Sequence, residues 1–213
     1  MPDPAITDYA SIARDASIEN EIQRSRFIGV AVRVSSLEQF TEHVRLQRRA
    51  HPDARHVCTA AVVGAGGEAS RSNDDGEPSG TAGAPMLQAI LQQRLTDVGV
   101  IVVRYFGGTK LGAGGLIRAY AGAATDALAA AGRRHRVATR QLLLTLPIAD
   151  AGRIEHALRV QGLEPEVTYG LDASLVVDVD ADRLASVRDQ LASLGVEHQF
   201  GERGFREVVS PRC

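Results

Sequence analysis

The sequence predicts a two-domain α+β protein. Three observations carry that expectation. Strand-like and helix-like stretches alternate from Phe27 to Val209. The pattern resets after Arg133-Arg134-His135-Arg136, which reads as a linker or domain edge. Beyond it the order is βαββαβ, the ferredoxin-like plan. The expected division is residues 1–134 and 137–213.

In the first part, Phe27 to Val34 reads as a strand. Ser36 offers an N-cap with Gln39 three residues on, and Leu37, Phe40 and Val44 follow at helical spacing to about Arg49. Pro52 ends that helix. Val57 to Val63 is a second strand, closed by glycines at 64, 66 and 67. A polar loop is expected from Ser70 to Gly83, with Thr81 as a cap for the short helix that follows; Met86, Leu87, Ile90 and Leu91 form its apolar side. Val98 to Phe106 is nearly continuously apolar and predicts a central strand buried on both faces. Gly107 to Gly115 is a glycine-rich turn, and a helix with Leu116, Tyr120, Ala123, Ala127 and Ala131 on one face runs to Gly132.

In the second part, Leu142 to Leu146 reads as a strand and Asp150 as the cap of a helix carrying Ile154 and Leu158. Pro165 to Tyr169 and Ser174 to Val179 are strands. Asp182 opens a helix with Leu184, Val187, Leu191 and Leu194, and Val196 to Val209 is a last strand, bent near Gly201 or Gly204.

Composition narrows the function classes. Apolar residues make up 44%, and the net charge is −2. The charge is spread evenly, so bulk polybasic DNA binding is not expected and any nucleic-acid contact must be local. Cys58 and Cys213 cannot form a disulfide framework, and no secretory or membrane-spanning run is present, so the expected location is the cytoplasm. Lys110 is the only lysine among 24 basic side chains, and it stands inside the glycine-rich turn.

Two segments carry the candidate chemistry. The first is the acidic loop with Asp74, Asp75, Glu77, Gly80 and Thr81. Three carboxylates in four residues could hold a metal or orient water, but the spacing fails the calcium-loop pattern, and the same residues suit a turn. The second is the glycine loop with Arg104, Tyr105, Gly107, Gly108, Lys110, Gly112, Gly114, Gly115 and Arg118. A strand runs through glycines into a helix start, where unpaired amides and the helix dipole favour an anion. Neither nucleotide-loop pattern fits: Ile117 replaces the third glycine of G-x-G-x-x-G, and Ala113 stands where the phosphate loop needs lysine. Close strand–helix packing is the alternative use of these glycines. Arg104 is expected to pair with Asp74 or Asp75 and so join the two segments. A third cluster, His51, His56 and Cys58, lacks the fourth ligand of a structural zinc site. No catalytic residue, metal or cofactor is assigned.

These motifs resemble the IMPACT/YigZ family, most closely its bacterial YigZ branch. The matching pieces are Ser25-Arg26-Phe27-Ile28, His51 to Cys58, Asp74 to Pro78 with Gly80 to Gly83, and Val103 to Tyr120. Asn73 replaces a usual serine, and Ala84 a common basic residue. The resemblance implies a first domain like the second domain of small-subunit ribosomal protein five and a ferredoxin-like domain similar to one of elongation factor G. Eukaryotic relatives regulate translation initiation by protein binding, not by catalysis. The expected function is therefore non-enzymatic and translation-associated, with RNA, the ribosome or a translation factor as partner. An enzyme or binder of a phosphorylated small molecule and a protein–protein adaptor are the alternatives. Oligomeric state is not specified by the sequence.

Overall fold

The computed structural model describes residues 7–209; Cys213 lies outside them. Two compact units are present, divided at His135 and Arg136.

The N-terminal unit contains β1 (Tyr9–Ile12), β2 (Ala16–Ile22), β3 (Ser25–Arg33), α1 (Leu37–Ala50), β4 (His56–Val63), β5 (Ala69–Asn73), α2 (Gly83–Gln92), β6 (Val98–Tyr105) and α3 (Gly112–Ala131). One sheet has the order β2-β3-β6-β4-β5, with every pairing antiparallel. β6 is central, as its apolar run requires. Val98, Val100 and Val102 enter the core beneath α2 and α3, while Ile101 and Val103 face α1 with Phe40. Side chains alternate along a strand, so one sequence feeds both cores. The Ser36 cap is present, with its Oγ accepting from the Gln39 N–H.

Several sequence expectations change here. β1 and β2 were not foreseen. The start of the expected Ser70–Gly83 loop is β5. Phe106 lies beyond the end of β6. Helix α3 begins at Gly112, so the last glycines of the expected turn form its first residues. Thr81 does not cap α2; its hydroxyl donates to the Pro78 carbonyl at 2.6 Å.

The C-terminal unit contains most of β7 (Arg133–Leu146), then α4 (Ile148–Val160), β8 (Glu166–Tyr169), β9 (Ala173–Asp180), α5 (Leu184–Ser193) and β10 (Gln199–Val209). Arg133 to Arg136 is thus the start of a strand rather than a linker, and the division between the two units falls within it. β10 pairs with β7, β7 with β9 and β9 with β8. In the unit's own numbering this is the 4-1-3-2 order of the ferredoxin-like plan. Leu142, Leu144, Leu175 and Val177 pack under Ile154, Leu158, Val187 and Leu191 of the two helices. Asp150 is not the cap of α4: it sits in the first turn, three residues past the cap at Pro147, and its N–H donates to the Pro147 carbonyl. Helix α5 is capped at Arg183, not opened by Asp182. Among the described residues no helix is long and apolar enough to cross a membrane.

Candidate functional site

The end of β6 organises the site. Arg104 lies across from Phe27 on β3 and from His56 on β4. Cross-strand partners share a face, so all three side chains point toward α2 and α3. Arg104 is buried there, and its Nη1 donates to Glu77 Oε1 at 2.6 Å. The same oxygen accepts from the Tyr120 hydroxyl at 2.7 Å and lies 3.9 Å from His56 Nε2. Ser25 Oγ stands 3.4 Å from Arg104 Nη2 and accepts from the Gly107 N–H at 3.2 Å. The two signature segments are therefore joined by one ion pair.

That ion pair corrects the expected one. Arg104 meets Glu77, not Asp74 or Asp75, because both aspartates are engaged elsewhere. Asp74 accepts from the amides of Gly80, Ala82 and Gly83 at 2.8–3.0 Å and so caps α2 from a distance. Burial works against its charge, but those amides outweigh it and hold the pKa below the usual carboxylate value. Asp75 accepts from the Val57 amide at 2.6 Å and pairs with Arg48 of α1. Its own carbonyl bonds to His56 Nδ1 at 2.9 Å, and its amide donates to Asn73 Oδ1 at 2.7 Å. Asn73 thus closes a side-chain turn.

Cys58, two residues along from His56, is fully buried, with its thiol 3.0 Å from the Asp74 carbonyl. Burial pushes the thiol up to about 12, with a smaller opposing effect from Tyr120. A thiol held protonated in this way is a packing residue, not a nucleophile. Burial, then Cys58 and Glu77, raise the Tyr120 hydroxyl as well. Among the described residues no group of three or more His, Cys, Asp or Glu side chains is arranged to hold a metal ion.

The glycine loop is built the opposite way. Gly107 has to be glycine: a Cβ there would stand 1.9 Å from the Arg24 carbonyl oxygen, where the β2–β3 turn packs on the loop. That turn holds Gln23 and Arg24 at positive φ, a costly conformation for such residues. Gly112 opens α3 at φ +69°. Among the described residues no side chain caps α3, and no amide from Gly108 to Gly114 finds a partner outside the helix. Gly108, Lys110, Gly112, Gly114 and Arg118 are exposed, and among the described residues neither Lys110 nor Arg118 makes an ion pair. Gly115 is different: a Cβ would press on Leu111 at 2.9 Å, so this glycine serves packing. Tyr105 is turned away, its hydroxyl 2.9 Å from His51 Nδ1 and its ring under Arg26. Ser25 and Phe106 were not assigned roles from sequence; strand register alone brings Ser25 to Arg104, and nothing in the spacing announces it.

Known proteins are similar to this chain. The Impact N-terminal domain family model matches residues 23–128, which include both loops. The IMPACT family member YvyE of Bacillus subtilis (strain 168) is 40% identical over 162 residues, covering 76% of this chain and 75% of that protein. The IMPACT family member YigZ of Escherichia coli (strain K12) is 42% identical over 118 residues, 54% of this chain and 58% of YigZ. The crystal structure of a hypothetical protein, 30% identical, covers 92% of this chain and 97% of its own with a TM-score of 0.64.

Proposed function

Since the chain belongs to the IMPACT family, shown by its match to YvyE, we propose that it is a non-enzymatic, translation-associated binding protein whose glycine loop takes up phosphates of RNA. The observation behind this reading is the contrast at the site. The acidic-loop carboxylates are bonded within the fold, Asp74 and Asp75 through both oxygens and Glu77 through Oε1, so the loop serves chiefly as scaffold. The start of α3, in contrast, offers uncapped amides beside the exposed Lys110 and Arg118. Amides and dipole at a helix start favour a phosphate, and glycines let it approach. The relatives in eukaryotes that regulate translation initiation give the reading its cellular setting, with RNA as the partner of first choice over ribosomal or factor proteins.

The test is RNA binding as a function of salt, read by fluorescence anisotropy on a labelled single strand. With about three phosphates contacted, the log–log slope is about −2, so raising salt from about 50 to 200 mM weakens binding roughly 16-fold. Binding that ignores salt contradicts the proposal.

A further inference from the structure

A cavity of about 240 Å³ opens beside the start of α3, lined by Glu77, Arg104, Phe106, Lys110, Leu111 and Leu116 among others. It is smaller than the roughly 300–1,000 Å³ pockets that enclose a whole drug-sized ligand. One ring system fits its scale. One part of its lining is the uncapped start of α3, Gly112 and Ala113, with Lys110 just before it. Glu77 in its lining has one carboxylate oxygen left over. Glu77 is only 9% exposed, and both its bonds fall on Oε1, leaving Oε2 without a donor among the described residues. Arg104 is 5% exposed, its Nη atoms are turned to Glu77 and Ser25, and its Nε is buried away from any ligand, so Glu77 Oε2 is the polar atom this part of the lining offers. The Phe106 ring, also in the lining, is 47% exposed and has the Arg104 guanidinium 5.6 Å from its centroid.

A bare phosphate does not satisfy this cavity. Its oxygens suit the start of α3 but are repelled by Glu77 Oε2, which needs an N–H or O–H donor. The exposed face of Phe106, with Leu111 and Leu116, favours a flat ring over a sugar. A ligand with an anion at one end and a flat ring bearing an N–H at the other meets all three conditions. We infer that the cavity seats one nucleobase on Phe106, its amino group turned to Glu77 Oε2, with the attached phosphate on the Gly112 and Ala113 amides and Lys110. Adenine, guanine and cytosine carry an exocyclic amino group. Uracil has only a ring N–H between two carbonyl oxygens, which the carboxylate repels. The site thus discriminates against uracil. This inference rests on the phosphate reading above and adds a base to it.

The same chemistry is offered by a free nucleotide and by one residue of an RNA strand. The experiment titrates the full-length protein by calorimetry with GMP, CMP, UMP, inorganic phosphate, and cytidine and uridine decamers. Expected are GMP and CMP bound about tenfold tighter than UMP, the discrimination of one good hydrogen-bonded base contact. Phe106→Ala weakens GMP about tenfold, the loss of one stacking contact, while phosphate binding and the melting temperature stay unchanged. A cytidine decamer much tighter than CMP assigns the site to RNA; equal affinities assign it to free nucleotides; both support the inference. Equal binding of CMP and UMP, or no effect of Phe106→Ala, overturns the base and leaves the phosphate reading standing. No binding of phosphate, nucleotide or decamer overturns both.

Discussion

The acidic loop and the glycine loop meet at one ion pair yet use their residues in opposite ways. In the acidic loop the side chains do the bonding and all of them turn inward: Asp74 to three amides, Asp75 to Val57 and Arg48, Glu77 to Arg104 and Tyr120. In the glycine loop the backbone is left free and the charges point outward. A strongly patterned motif can therefore be either scaffold or surface, and hydrogen-bond accounting decides which. Substitutions in the first loop should cost stability. Those in the second should cost binding.

The largest stability effect is expected at Glu77. Glu77→Ala strands the buried Arg104 charge and should cost about 3–5 kcal/mol in urea denaturation. The double variant Glu77→Leu with Arg104→Met should recover most of that loss, because two apolar residues can replace a buried pair. A single variant as stable as wild type would break the comparison at its centre.

Asp74→Ala removes the acceptor of three amides at the start of α2 and should cost about 2 kcal/mol, the upper end for a lost cap. Its pH dependence follows from the depressed folded pKa. The contribution of Asp74 is complete above the unfolded value of about 3.9 and fades as pH falls through the lower folded value. Between about pH 5 and pH 2, wild type should therefore lose more stability than Asp74→Asn, measured by melting at each pH. Parallel pH profiles would remove the capping role.

A smaller effect is expected from cutting the chain. We propose that fragments 1–134 and 137–213 each melt cooperatively, because each part has its own buried core. The first fragment should also retain salt-sensitive RNA binding. Unfolded fragments would show that the two cores depend on each other.

Much of this was legible in the sequence because burial leaves a period. The apolar run of β6, the spacing of α5 and the βαββαβ order are direct consequences of which faces are covered. β2 was invisible because its residues, Ala16 to Ile22, include Glu19, Asn20 and Glu21 on an edge strand exposed along one face. The start of α3 was read as a turn because glycines are poor helix formers; packing of the rest of that helix overrides them. The partner of Arg104 was misread for a different reason. All three carboxylates are within reach along the chain, and only the fold shows that amides and Arg48 occupy two of them. Register, not composition, selects the third.

The division between scaffold and surface is tested most directly at Lys110, the exposed lysine of the glycine loop. The measurement is the salt slope of RNA binding for Lys110→Ala beside its melting temperature. The expected result is a slope smaller by about 0.7, the share of one single-strand phosphate contact, with melting unchanged. An unchanged slope, or a melting temperature that falls as for Asp74→Ala, would contradict it.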